Sequence, residues 1–149
     1  MDTRMSVLLK LAILCVLGCY SLPFQAQANN ALLLFGGTDH TAFLGCLNCA
    51  NTSTVSVCNE FGKYGSEYQS DSIWNQYGKF GSEYSGESPW NKYTNNAPII
   101  VDKNGNSYGY FSVNEYHKNR TRIGWLIAIL NYYDKTNDID KTRKFMCGE

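Results

Sequence analysis

Residues 72–84 read SIWNQYGKFGSEY, and residues 56–68, sixteen positions earlier, read SVCNEFGKYGSEY. A third copy starts at residue 88 with SPWNKY and stops at residue 93. So many matches at one fixed offset identify a tandem repeat over residues 56–93. One such unit is too small to bury its own aromatic rings, whereas stacked copies bury them against one another. The chain is therefore organised around a short stack of repeat copies.

The residue types within each copy predict its local structure. A Ser opens the copy and a Gly follows six positions later, so we expect a short helical turn that the Ser caps and the Gly ends in the left-handed conformation. The second Gly stands before another Ser and predicts a turn that sends the chain back. Cys58 occupies the position of Trp74 and Trp90 in the later copies, so we expect these three side chains to face inward.

Each full copy carries three further aromatic rings. Rings that are buried would make the repeat a scaffold, whereas exposed rings could stack on sugar or peptide, because a Tyr or Trp ring has a flat apolar face and a polar edge. A core this short cannot use every ring, so we expect some of them in an exposed row whose weak contacts act together. The candidate stacking residues are Tyr64, Tyr68, Phe80 and Tyr84.

Three segments together show a family resemblance. They are the repeat, the sequence FLGCLNC at residues 43–49 and the sequence PIIVD at residues 98–102. They resemble a group of bacterial exported proteins without an established activity, in some of which a similar region follows a staphylococcal-nuclease-like domain. The resemblance covers most of the chain after residue 28 and brings no functional residues with it. These 149 residues have no room for a nuclease domain of that type.

Residues 1–28 have the pattern of a secretory signal peptide. Two basic residues precede an apolar run at residues 11–20, and residues 26–28 read AQA, a small-x-small cleavage site. We therefore expect a secreted or periplasmic protein whose mature chain begins at Asn29. One alternative is an uncleaved anchor, although the apolar run is short for a membrane span. The other is a lipid anchor on Cys19, which ends a lipobox-like VLGC sequence.

Charge excludes two classes of partner. The chain has 13 basic and 13 acidic residues, and the signal-like segment contains two of the former and one of the latter. The remaining net charge, close to −1, leaves no electrostatic footprint for nucleic acid and no polybasic patch for a membrane surface. We expect one exported domain over residues 29–149, without a nucleic-acid partner, a cofactor or a transmembrane segment in the mature chain.

The segments that flank the repeat predict an α+β fold with two small antiparallel β-hairpins and one C-terminal helix. Apolar residues at 31–35 and 41–47, on either side of a Gly-Gly turn, predict the first hairpin. The second hairpin is predicted by an Asn-Gly pair between β-prone residues 97–102 and 107–113.

Residues 123–133 predict the helix. Thr121 is its candidate cap. Its apolar face follows helical spacing, and Trp125 and Ile129 widen that face, so we expect both to be covered. The charged residues 134–149 are expected to form a loose tail apart from Cys147.

Four cysteines follow the signal-like segment: Cys46, Cys49, Cys58 and Cys147. An even number in an exported chain predicts two disulfides. Three pairings are open, and we favour Cys46 or Cys49 with Cys58, which would tie the first hairpin to the first copy. A zinc site is the less favoured alternative because Cys147 has no close partner. A redox role for Cys46 and Cys49 is weaker still, since such a motif usually opens a helix.

These features favour an exported binding or structural module of the cell envelope or extracellular space, not an enzyme. The expected partner is an envelope polysaccharide or an envelope protein. The alternative is an accessory or small hydrolase-like enzyme that uses His40 or His117, the two histidines of the chain. His117 also lies close to Arg120 and Arg122, and the three form a candidate anion site because the guanidinium fork suits phosphate or carboxylate.

Overall fold

The structure is a computed structural model that describes residues 30–149. The predicted signal peptide, its predicted cleavage site and the candidate lipid anchor therefore lie outside the described residues. The described chain forms strands β1 (Leu33–Gly36), β2 (Ala42–Cys46), β3 (Ile99–Val101) and β4 (Ser107–Tyr110), followed by helices α1 (Gly124–Thr136) and α2 (Ile139–Cys147). The mixed α+β class is confirmed, with two helices where one was expected.

Both predicted hairpins form, and they join in one antiparallel sheet with the order β2-β1-β3-β4. Strand β1 lies between β2 and β3, and Leu34 pairs with Ile100 across the central ladder. Both of those side chains are fully buried. Gly45 in β2 has a φ of 112°, and a Cβ there would lie 2.8 Å from Cβ of Tyr64. Only glycine fits this position, because the first repeat copy packs directly on the strand.

The repeat is a succession of turns that side-chain hydrogen bonds hold in place. In the second copy Oγ of Ser72 accepts from the backbone N–H of Trp74 (3.2 Å), and Oδ1 of Asn75 accepts from the N–H of Tyr77 (3.1 Å). Nδ2 of Asn75 donates to the carbonyl of Gln69 (3.2 Å). The first and third copies repeat all three bonds. Ser and Asn therefore shape the backbone of each copy as in local turn motifs.

Successive copies are joined through their inward-facing tryptophans. Nε1 of Trp74 donates to the carbonyl of Val57 (2.7 Å), and Nε1 of Trp90 donates to the equivalent carbonyl of Ile73 (2.6 Å). The two indole rings lie 5.5 Å apart between centroids in a stacked arrangement. Trp74 and Trp90 are 2% and 1% exposed, which confirms the prediction that they face inward, and Cys58 is buried as well.

The repeat glycines provide space rather than left-handed backbone. The positive φ angles of described glycines occur outside residues 56–93, at Gly37, Gly45, Gly105, Gly109 and Gly148. The predicted left-handed exit is therefore wrong. A Cβ on Gly81 would lie only 2.1 Å from the carbonyl oxygen of Asn75. A Cβ on Gly65 would lie equally close to the carbonyl oxygen of Asn59. The second glycine of each full copy lets two backbone segments touch.

Helix α1 closes the core over the tryptophans. Its buried face consists of Leu126, Ile129, Leu130 and Tyr133. The ring of Tyr133 lies 4.8 Å from that of Trp90 between centroids. Two expectations for this helix are wrong. Trp125 is 42% exposed, so the described residues leave this part of the widened face partly uncovered. Thr121 does not cap the helix, since it is buried and its Oγ1 accepts from the N–H of Ile123 instead.

The C-terminal tail is a helix rather than a loose segment. Asn137 ends α1 in the left-handed conformation, with φ at 49°, and Asp138 begins α2. The side chain of Asp138 accepts from the N–H of Lys141 (2.9 Å), as an N-cap residue does. These two local signals were present in the sequence and were missed.

Two disulfides form, as expected, but the favoured pairing is wrong. Cys46 bonds to Cys49, and Cys58 bonds to Cys147. The reason is that α2 returns beside the first repeat copy and brings Cys147 to Cys58, with their Cα atoms 5.5 Å apart. Cys46 and Cys49 meet across a tight turn at the end of β2, so neither sulfur is left for Cys58.

Candidate binding face

The outer side of the repeat presents aromatic rings that are almost completely exposed. Phe61, Tyr77 and Tyr93 occupy one repeat position and are 92%, 90% and 89% exposed. In each copy the backbone N–H of this residue is held by the preceding Asn side chain. A second exposed position holds Tyr68 and Tyr84, at 82% and 87%.

A shortened fourth copy extends this side of the molecule. Residues 112–116 read SVNEY, which matches SVCNEF at residues 56–61 with one residue deleted. Asn114 accepts from the N–H of Tyr116 (3.0 Å) and donates to the carbonyl of Thr94 (2.9 Å), as the other repeat asparagines do. The N–H of Val113 donates to the carbonyl of Pro89 (2.8 Å), the repeat position that accepts an indole N–H in the earlier copies.

Tyr116 of this fourth copy is 93% exposed and continues the outer side. We call the exposed set the outer rings: Phe61, Tyr68, Tyr77, Tyr84, Tyr93 and Tyr116. Sequence reasoning missed the fourth copy because the deletion removes the Trp position and the β3–β4 hairpin separates it from the third.

Two of the four candidate stacking residues are not part of the exposed set. Tyr68 and Tyr84 are outer rings, whereas Phe80 is only 6% exposed and belongs to the hydrophobic core. Its ring lies against Gly36 of β1. Tyr64 is half-buried, with its ring edge-on to that of Phe43 at 4.9 Å between centroids. Both rings pack on the sheet because their repeat position faces it, so neither belongs to the exposed outer side of the repeat.

Four outer rings line three neighbouring cavities. Tyr77 and Tyr84 line a cavity of about 400 Å³, Tyr84 and Tyr93 line one of about 310 Å³, and Tyr93 and Tyr116 line one of about 430 Å³. Each cavity shares a ring with the next, and we call this row of three cavities, from Tyr77 to Tyr116, the ring groove.

The polar groups of the ring groove are amides and carboxylates. The amides are Gln76, Asn91, Asn95, Asn114 and Asn137, and the carboxylates are Glu83, Glu115 and Asp134. The cation of the lining, Lys92, pairs with Asp134 at 2.8 Å. Glu83 accepts from the hydroxyl of Tyr84 and thereby raises the pKa of Tyr84. The groove therefore combines apolar ring faces with hydrogen-bonding groups, and its two glutamates, Glu83 and Glu115, belong to none of the ion pairs of residues 30–149.

Both histidines pack against Tyr110. The ring centroids of His40 and His117 lie 5.4 and 4.4 Å from that of Tyr110. Nε2 of His40 donates to the carbonyl of Ala97, and Nε2 of His117 donates to that of Asn95, both at 3.1 Å. The four described cysteines are all in disulfides, so none is a thiol that a histidine could activate. The hydrolase-like alternative stays a prediction, and the ring groove does not include either histidine.

The candidate anion residues are only partly brought together. Arg120 and Arg122 line one cavity, and Lys118 joins them there. His117 is buried against Tyr110 and is not part of that lining. The sequence suggested these three residues because they are close along the chain, but the backbone turns at His117, whose N–H donates to the carbonyl of Asn114 and whose Nε2 donates to that of Asn95.

Within residues 30–149 no three or more His, Cys, Asp or Glu side chains are grouped so that they could hold a metal ion. In the same range no helix combines the length and apolar character needed to cross a membrane. The chain matches no protein-family model, no curated protein and no solved structure. Its function therefore has to be inferred from the geometry of its surface.

Proposed function

We propose that this protein is an exported binding module of the cell envelope or extracellular space, and that it binds linear polysaccharide along the ring groove. The observation that supports this best is the exposure of six aromatic rings, 82–93% each, at repeated positions. Exposed apolar surface of this extent marks interaction sites on soluble proteins. Here the same Asn and Ser hydrogen bonds hold the backbone of each ring outward, so the display is a built feature of every copy.

The shape and polarity of the groove favour carbohydrate as the ligand. Flat aromatic faces can stack on the faces of sugar rings, and amphipathic Tyr adds a hydroxyl at the edge. Amides and carboxylates around the rings can accept and donate hydrogen bonds to sugar hydroxyls. An uncharged polysaccharide suits the site better than an anionic one, because Glu83 and Glu115 have no cationic partner among the described residues and Lys92 is paired with Asp134.

The repeat geometry favours a polymer over a small molecule. Phe61, Tyr77 and Tyr93 occupy one repeat position, so exposed rings recur every sixteen residues along the outer side. A polymer can contact several outer rings at once, and the linked contacts raise the overall affinity well above that of one ring. The rings are already positioned by the folded backbone, which lowers the ordering cost of binding.

Export is supported by the chemistry of the folded chain. Two disulfides are typical of proteins from oxidising compartments. A secreted or periplasmic location is therefore part of the proposal, with a lipid anchor on Cys19 as the alternative. The mass of the protein recovered outside the cytoplasm distinguishes them, because cleavage before Asn29 and lipidation of Cys19 leave different N-termini.

Co-sedimentation with insoluble polysaccharide tests the binding proposal. The oxidised protein is mixed with cellulose, chitin or bacterial cell-wall sacculi, and the bound fraction is measured. We expect the parent to bind at least one of them and the Tyr77→Ala/Tyr93→Ala variant to bind at least about tenfold more weakly, which is a loss of about 1.4 kcal/mol.

Trp125→Ala is the matched control, because it removes a partly exposed aromatic ring that does not line the groove. It should bind like the parent, and circular dichroism should show that all three proteins are folded. The proposal is wrong if the double variant binds as well as the parent, or if the parent binds none of the polysaccharides.

A further inference from the structure

A second cavity, of about 470 Å³, lies beside strand β4 and shares no lining residue with the ring groove. We call it the basic cavity, and its lining is Tyr108, Gly109, Lys118, Asn119, Arg120, Arg122 and Ile123. Three of these seven residues are cations, and none is an aspartate or glutamate. The proposed polysaccharide binding does not use this cavity.

Backbone pairing places two of the cations, Arg120 and Arg122, on one side of a short extended segment. The N–H of Tyr110 donates to the carbonyl of Asn119, and the N–H of Thr121 donates to the carbonyl of Tyr110, both at 2.8 Å. Thr121 points into the core at 2% exposure. Because side chains alternate along an extended segment, its neighbours Arg120 and Arg122 point outward on the same side.

The positive charge of the basic cavity is not neutralised within the described chain. Nε of Arg120 donates to the carbonyl of Ser112 (2.7 Å), and Nη2 donates to Oδ1 of Asn131 (3.3 Å). Both acceptors are uncharged, so they orient the guanidinium without cancelling its charge. None of the ion pairs of residues 30–149 includes Lys118, Arg120 or Arg122. The adjacent first turn of α1 has no acidic residue.

We infer that the basic cavity binds a phosphate group. Guanidinium forks bind phosphate oxygens in pairs, and an ammonium such as Lys118 adds a point charge. Three cations without a counter-charge match a doubly charged phosphate better than a singly charged carboxylate. The phosphate could belong to a soluble compound such as a phosphorylated sugar or to a lipid headgroup, and the chemistry of recognition is the same in both cases.

Calorimetric titration of the full-length oxidised protein with inorganic pyrophosphate tests this inference. The informative variant is Lys118→Gln/Arg122→Gln, because both side chains are exposed and Arg120, which holds Ser112 and Asn131, stays intact. We expect the affinity of this variant for pyrophosphate to be at least about tenfold lower than that of the parent. The loss of one hydrogen bond to a charged group already has an effect of that order. Added salt should weaken binding by the parent.

The matched control is Lys103→Gln/Lys135→Gln, which removes the same charge from exposed lysines outside the basic cavity. It should keep the affinity of the parent. Equal affinity in the Lys118/Arg122 variant and the parent would overturn the inference, as would a parent that does not bind pyrophosphate.

Vesicles identify the source of the phosphate. Binding to phosphatidylglycerol vesicles but not to phosphatidylcholine vesicles, lost in the Lys118/Arg122 variant, supports a lipid headgroup. Pyrophosphate binding without vesicle binding supports a soluble phosphate compound. Because the ring-groove variant Tyr77→Ala/Tyr93→Ala should bind pyrophosphate normally, this inference stands or falls independently of the polysaccharide proposal.

Discussion

The inner and outer sides of one repeat copy differ sharply although they are only three residues apart. Trp74 is 2% exposed and Tyr77 is 90% exposed, and Trp90 and Tyr93 repeat the contrast at 1% and 89%. Residues three apart in a helix would lie on the same face. Here Asn75 starts a new turn by accepting from the N–H of Tyr77. Turn chemistry, not hydrophobicity, therefore decides which aromatic ring is buried and which is displayed.

Removal of the disulfide of Cys58, the first inward-facing residue of the repeat, should have the largest effect on stability. Replacing both Cys58 and Cys147 by Ala should lower the free energy of unfolding by about 4–5 kcal/mol, because the bond joins residues 89 apart in sequence. The control is Cys46→Ala/Cys49→Ala, which removes a disulfide between residues only 3 apart in sequence. It should lower the free energy of unfolding by about 2 kcal/mol. Urea unfolding followed by circular dichroism measures both. Equal losses would show that the long loop is not what makes the inner bond stabilising.

The next test replaces an inner ring and an outer ring of the same copy. Trp90→Ala should cost about 3–5 kcal/mol, as truncation of a buried Trp usually does. It removes contacts with Trp74, Phe111 and Tyr133 and leaves the carbonyl of Ile73 without its donor. Tyr93→Ala should change stability by no more than about 0.5 kcal/mol. Thermal unfolding checks both, and similar melting temperatures for the two variants would contradict the division into inner and outer sides.

Alkaline pH should destabilise the inner side through Tyr133. Burial raises the pKa of Tyr133 to about 12 from the usual tyrosine value of 10.0. The unfolded chain therefore loses this proton first as pH rises. The ionisation of Tyr133 does not affect the free energy of unfolding below pH 10. Between pH 10 and pH 12 it lowers the free energy of unfolding by about 2–3 kcal/mol. Urea unfolding at successive pH values measures this effect, and the Tyr133→Phe variant should lose less stability than the parent between pH 10 and pH 12. If the variant loses as much as the parent, other groups cause the alkaline destabilisation.

The tight backbone contact within each copy gives the smallest of these effects. Gly81→Ala places a methyl group 2.1 Å from the carbonyl oxygen of Asn75, so the two turns must separate. We expect a loss of about 1–3 kcal/mol in urea unfolding, typical of overpacking. Gly86→Ala is the control, because a Cβ there meets no atom within 4 Å. A Gly81 variant as stable as the Gly86 variant would mean that the two turns of one copy can separate without loss of stability.

Local signals predicted the regular elements well. The Asn-Gly pair marked the β3–β4 hairpin. In the structure Gly105 has a φ of 83°, and Oδ1 of Asp102 accepts from the N–H groups of Asn104 and Asn106. Helical spacing identified the core-facing residues of α1, because apolar residues three and four positions apart share one face of a helix. Helix α2 also had local signals in Asn137 and Asp138, and its charged composition concealed them. The exposure of Trp125 was not predictable in this way, because spacing states which side of a helix a residue lies on and not whether another element covers it.

The candidate sites needed more than spacing. Tyr68 and Tyr84 could be anticipated as exposed rings, but Phe80 and Tyr77, in the same copy, could not be assigned to opposite sides. Phe80 is buried because it lies against Gly36 of β1, a contact between residues distant in sequence. The groups of the basic cavity likewise meet because residues 119–121 pair with Tyr110.

The sequence by itself determined the sixteen-residue period, the inward position of Cys58, Trp74 and Trp90, and the two hairpins. These features depend on hydrogen bonds and conformations within a few residues, which residue types specify directly. Only the tertiary structure decided the partner of Cys58, the addition of residues 112–116 to the stack and the choice of outer rings. Those outcomes depend on which distant elements cover which side chains, and burial of this kind is a property of the whole packed chain.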